Sequence, residues 1–238
     1  MTDVLPFVIQ PQPDDTSCGP TCLHAVYAFS GDTIGLAEVI EGTRRLDNGG
    51  TLAVFLGCHA LARGYAVTLH TFNLQVFDPT WFGPPPADLA TKLRDQMAVK
   101  TDPKLHEATS GYLEFLRLGG EIRFTEMNRD LLRSHLRRSL PILTGLSATY
   151  LYRCAREISA QNEYDDLRGE PVGHFVVLYG YEPQDRLVLV ADPYVPNPLA
   201  GTFYYRVPID RVISAILLGT VTYDANMLVL GPRRPRKD

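Results

Sequence analysis

The feature that most constrains this chain is a change of apolar rhythm near its middle. Up to about residue 138, apolar residues recur at the three-to-four spacing of amphipathic helices. Beyond Leu140 they condense into short strand-like runs: 140–146 (LPILTGL), 172–181 (VGHFVVLYGY), 187–191 (LVLVA), 202–207 and 227–230. Helices first and strands afterwards predict an α+β fold. The 238 residues are 45% hydrophobic and 21% charged, ordinary values for a soluble globular chain. A chain of this length buries roughly 70% of its unfolded surface and needs no staples. No linker-like stretch separates the halves, so one domain of two lobes is expected over residues 1–238, with a helical insert at about 78–138.

Composition excludes several classes. A net charge of −4 gives no electrostatic reason to expect nucleic acid. The one concentrated basic stretch is the tail at about 232–238, broken by Pro232 and Pro235 and read as a solvated, disordered end. No apolar run approaches the roughly 18 residues of a membrane helix, and the N-terminus lacks the basic flank and apolar core of a secretory signal. Four cysteines (Cys18, Cys22, Cys58, Cys154) show neither zinc-type pairing nor a dense disulfide framework. Together these features predict a reduced, cytoplasmic setting; the thiol chemistry set out below requires no cofactor and no metal.

The local pattern predicts particular elements. Pro11 and Pro13 forbid a regular ladder before a helix from Cys18 to about Phe29, with Thr16 and Ser17 supplying cap chemistry. Further helices are expected at about 34–45 with Thr33 as cap, at 51–63 closed by Gly64, twice within 87–118 with a break near Asp102 and Pro103, and at 128–138. Residues 65–72 alternate like a strand. Pro208 opens a last helix reaching Leu218. A polar, Tyr-bearing loop at about 147–171 is long enough to cover a site.

Three patterns carry chemistry. Gln12 precedes Cys18-Gly19 by six positions. A thiol at a helix start faces unsatisfied N–H groups and the positive end of the dipole, which favour thiolate. Gly19 leaves little bulk beside the sulfur. The Cys18 N–H and the Gln12 amide are the candidate donors to an oxyanion. In Gly173-His174 a histidine opens an apolar strand, in position to take the thiol proton. Asp192-Pro193 ends a second apolar strand 18 residues on, enough for a turn and an antiparallel return that brings the carboxylate to the ring.

With these motifs the chain resembles the papain-like cysteine peptidases, in particular the double-glycine leader peptidases that process bacteriocin precursors (cysteine peptidase family 39) and their stand-alone bacterial relatives. The resemblance rests on Gln12, Cys18-Gly19, Gly173-His174 and Asp192-Pro193. It implies a helical lobe whose catalytic helix packs on a C-terminal antiparallel sheet. It also implies Cys18 as nucleophile, His174 as base, Asp192 as its orienting acid, Gln12 as oxyanion donor, and a peptide or protein as substrate.

Two other readings stand beside hydrolysis of a peptide or isopeptide bond. One is acyl transfer, in which an amine replaces water at the thioester. The other is a peptidase fold kept as a peptide-binding module. Cys22, Cys58 and Cys154 are expected to be core cysteines, and His24 structural. Cys58, His59 and His70 lack zinc-ligand spacing. Asp14 and Asp15 are expected to face solvent at the helix start, and Trp81 to pin a Pro-rich loop.

Overall fold

The computed structural model describes residues 3–47, 49–158, 161 and 163–233. In chain order its elements are β1 (Asp3–Val4), α1 (Cys18–Phe29), α2 (Leu36–Gly42), α3 (Ala53–Ala62), β2 (Tyr65–Thr71), α4 (Leu89–Val99), α5 (Pro103–Arg117) and β3 (Glu121–Arg123). The second half contains α6 (Arg129–Arg137), β4 (Ile142–Ser147), α7 (Ala148–Tyr152), β5 (Glu157–Ile158), β6 (Glu163–Tyr164) and β7 (Gly173–Glu182). It closes with β8 (Leu187–Ala191), β9 (Tyr204–Pro208), α8 (Ile209–Leu218) and β10 (Asn226–Arg233).

Eight strands form one sheet in the order β3-β2-β10-β4-β7-β8-β9, with β1 added beside β7. Its pairs are antiparallel except β2–β3, which is parallel. The sheet therefore draws β2 and β3 from the helix-rich half, and β10 threads back between β2 and β4.

Strand alternation divides the core between the two faces. Phe175 and Val177 of β7 join Leu23, Val26 and Tyr27 of α1, with α3 and α5, on one side. Val176 and Leu178 join Leu132 and Leu136 of α6 and Val212 and Ile216 of α8 on the other. Leu23 is fully buried, and Leu23→Ala would cost about 2–5 kcal/mol through the cavity it leaves.

Several boundaries differ from the expected ones. The helix expected at 34–45 is only Leu36–Gly42, capped by Gly35 rather than Thr33. It stops because Thr43 turns extended, and its hydroxyl donates back to the Val39 carbonyl. The expected break at Pro103 is present, with the Asp102 carboxylate accepting from the Leu105 N–H. The 147–171 loop contains α7 and the β5–β6 hairpin. At the C-terminus the strand runs on through Pro232 to Arg233, which pairs with Tyr65, so the basic tail begins later than the sequence suggested. Residues 234–238 lie outside the described residues. No helix among the described residues is long and apolar enough to cross a membrane.

Candidate active site

Cys18 is the first residue of α1. Ser17 stands at the N-cap, but its side chain does not cap the helix; its hydroxyl donates to the Asp14 carbonyl at 3.1 Å. The expected cap chemistry is thus spent on the preceding turn, which Asp14 also braces by accepting from the Thr16 N–H and hydroxyl. The first-turn N–H groups beside Cys18 have no side-chain cap, which leaves the helix start available to an anion. Gly19 acts differently from the expectation. It is buried, and a Cβ there would fall 2.7 Å from Thr51 Cγ2 and 3.1 Å from the Phe175 ring. Its missing side chain lets α1 close onto β7 rather than making room for substrate.

His174 is the second residue of β7, opposite Leu146 of β4. Its Nε2 lies 2.8 Å from Asp192 Oδ1, which leaves Nδ1 as the nitrogen for a second partner. The Cys18 side chain lines the same hollow as the ring and is close enough to act on its charge. Burial opposes a charge on His174. The neighbouring Asp192 carboxylate and Cys18 sulfur outweigh burial and push the ring up to about 10. The ring also has the Tyr194 ring edge-on at 6.1 Å between centroids.

Asp192 is fully buried just past β8. Burial alone would raise its carboxyl, but His174 and its hydrogen-bond donors hold it below the usual carboxylate range. Oδ1 accepts from His174 and from the Tyr194 N–H at 2.9 Å. Oδ2 accepts from the Tyr152 and Tyr205 hydroxyls, each at 2.7 Å. Four donors on one carboxylate hold a buried charge that would otherwise be prohibitive. The sequence reading missed both tyrosines. Tyr205 carried a readable signal, because it occupies a buried phase of β9 and a buried phenol needs a partner. Tyr152 carried none until α7 was in place.

The antiparallel return from His174 to Asp192 depends on an irregularity. Between Leu178 and Gly180 the β7–β8 register slips by one residue, so that Val177 pairs with Ala191 while Gly180 pairs with Leu189. Continued to the site, the slipped register sets Asp192 across from Val176, on the face that also presents His174. Unslipped, it would set Asp192 across from Val177, on the opposite face.

Gln12 sits beside this group. Its Nε2 donates to the Asp14 carbonyl at 2.9 Å, and its backbone N–H donates to the Pro193 carbonyl. These bonds fix the amide at the rim of a hollow of about 800 Å³ that also exposes Cys18, His174, Tyr152 and Tyr194. Asp15 and Glu157 line the same hollow, so Asp15 faces the cleft as well as solvent.

The remaining expectations are answered by partners. The Cys22 thiol is buried against the Phe175 carbonyl at 3.3 Å. Cys58 meets the Gly111 carbonyl, His59 the Tyr27 hydroxyl and His70 the His135 ring, three separate attachments rather than one ligand set. Trp81 packs edge-on against Phe77, away from the residues that line the hollow. Cys58 and Cys154 differ from the expectation of core thiols, since both are half-buried, and Cys154 also lines the hollow.

No curated protein matches this chain in sequence. Among solved structures, xylellain, a cysteine protease from Xylella fastidiosa, superposes with a TM-score of 0.50 at 16% identity, covering 98% of this chain and 85% of that one. The peptidase domain of Streptococcus ComA, a bi-functional ABC transporter involved in a quorum-sensing pathway, gives a TM-score of 0.46 at 14% identity, covering 94% and 98%. A C39-like peptidase from Bacillus anthracis gives 0.42 at 16%, covering 99% and 100%. The likeness to xylellain shows a papain-like α+β fold. A family model matches residues 4–208, most of the sequence, and on that match the chain belongs to the Peptidase_C39 like family.

Proposed function

We propose that this protein is a cysteine peptidase that hydrolyses a peptide or isopeptide bond through a thioester on Cys18. The supporting observation is an imidazole bonded to the fully buried Asp192 carboxylate and lining one hollow with Cys18. Cys18 gives its thiol proton to His174 Nδ1, and the sulfur adds to the substrate carbonyl carbon while the C=O electron pair moves onto oxygen. The Cys18 N–H and the Gln12 amide are the donors for that oxyanion. When the carbonyl re-forms, the C–N bond breaks and the His174 imidazolium gives its Nδ1 proton to the departing amine. Neutral His174 then takes a proton from water as the water oxygen attacks the thioester. Collapse expels the sulfur and releases the acid, and the proton stays on the ring. Asp192 keeps Nε2 protonated and Nδ1 directed at the sulfur throughout. The four thiols are unbridged, which supports a reduced, cytoplasmic setting.

The test is iodoacetamide labelling at neutral pH with the modified cysteines mapped by mass spectrometry. Burial pushes the Cys58 thiol up to about 12 and raises Cys154 and Cys22, so these three react slowly. Fast labelling confined to Cys18 and lost in His174→Ala is expected. Equal, slow labelling of all accessible thiols would instead mark a peptide-binding module. Product masses from peptides incubated with and without an added amine separate hydrolysis from acyl transfer.

A further inference from the structure

Cys18 also lines a second hollow, of about 1160 Å³, together with Thr51, Phe175, Lys104 and Asp224. Asp224 makes none of the bonds that hold His174 and Asp192. It lies between the short 3-10 turn Gly219–Thr222 and β10, and is 7% exposed. Its N–H donates to the Gly219 carbonyl, and its Oδ2 accepts from the Thr222 hydroxyl.

Two glycines make room for this carboxylate. A Cβ at Gly173, the neighbour of His174, would fall 1.9 Å from Oδ2, and one at Gly145 would fall 3.1 Å from Oδ1. Asp224 therefore packs directly against the backbone beside His174. Residues 4–208, which the family model matches, do not include it.

A carboxyl this buried is costly when ionised unless a cation completes it. Lys104 is exposed, with its ammonium over the Tyr223 ring at 4.5 Å, and acts on Asp224 only across space. Burial pushes the Asp224 carboxyl up to about 7, with Thr222, Lys104 and His174 pulling it down. Asp15 and Glu170 line the same hollow and add to its negative character.

We infer that Asp224 is the anionic wall of a recognition subsite for an arginine or lysine side chain of the peptide bound at Cys18. A guanidinium or ammonium entering the hollow supplies the partner that the fold withholds, and exchanges its water for a charge-assisted hydrogen bond. Cleavage of that peptide rests on the peptidase reading; recognition of the cation does not.

The experiment scans internally quenched peptides with arginine at each position against the same peptides carrying citrulline, which keeps the shape and removes the charge. At one position relative to the cleaved bond, arginine is expected to raise kcat/KM by about tenfold or more over citrulline. In Asp224→Asn, which retains an acceptor for Thr222, the arginine-to-citrulline ratio falls to about one. No arginine preference at any position, or a preference unchanged in Asp224→Asn, overturns the inference. If no peptide is cleaved, the same pairs are titrated into full-length Cys18→Ala. Discrimination that vanishes in Cys18→Ala/Asp224→Asn upholds the subsite while the peptidase reading falls. Equal binding of arginine and citrulline peptides overturns the subsite.

Discussion

Replacing Asp192 by asparagine isolates the charge that His174 depends on. The variant preserves the geometry. Its amide oxygen still accepts from His174 and the Tyr194 N–H, and its NH2 points at the two phenols, whose hydroxyls turn to accept. Only the negative charge is lost. In the wild type, His174 titrates at about 10 against 6.5 for a free imidazole. At about 1.36 kcal/mol for each tenfold, the folded site holds that proton by about 5 kcal/mol more than water does. This is the net of a burial penalty and the attraction of Asp192 and Cys18, so removing Asp192 moves the ring downward.

The expected result is an alkaline limb of kcat/KM that moves down by about two pH units or more. The same ring predicts a stability change of definite sign. A pKa raised on folding contributes stability that is complete below 6.5 and is lost as pH rises through about 10. The wild type should therefore exceed Asp192→Asn in Tm most at pH 6, and the gap should narrow toward pH 10. A gap constant across that range, with an unmoved alkaline limb, would refute the paired-charge account.

Three further perturbations follow from the same geometry. Tyr205→Phe leaves Asp192 Oδ2 with Tyr152 alone, and urea unfolding should show a loss of about 1.5–3 kcal/mol, the range for hydrogen bonds to charged groups. Gly173→Ala drives a methyl into Asp224, and overpacking of this kind should cost about 1–3 kcal/mol, read as a lower urea midpoint at unchanged m-value. Gln12→Ala should lower kcat by about 10²–10³-fold with little change in Tm, because among the described residues the amide is bonded only to the Asp14 carbonyl of its own turn.

The residues brought together at Cys18 were legible because each stands where sequence marks an element boundary. Cys18 begins a helix, His174 opens an apolar strand and Asp192 ends one. Boundaries set by competing hydrogen bonds were not legible. Thr43 ended α2 early by bonding back to Val39, and Ser17 turned its hydroxyl to Asp14 instead of to the helix. Nor was β3, three residues long, whose pairing with β2 exists only after α4 and α5 bring the chain back to the sheet edge.

The sequence by itself determined the helix-then-strand architecture, since apolar periodicity is written residue by residue along the chain. It also determined which thiol, ring and carboxylate stand at element ends, where backbone groups and open space make chemistry feasible. Only the tertiary structure decided that the last two share a face. Strand side chains alternate, so a one-residue slip at Leu178/Gly180 moves Asp192 from the wrong side of the sheet to the side of His174. The tyrosines that hold its charge come from β9 and α7, elements whose proximity no local pattern encodes.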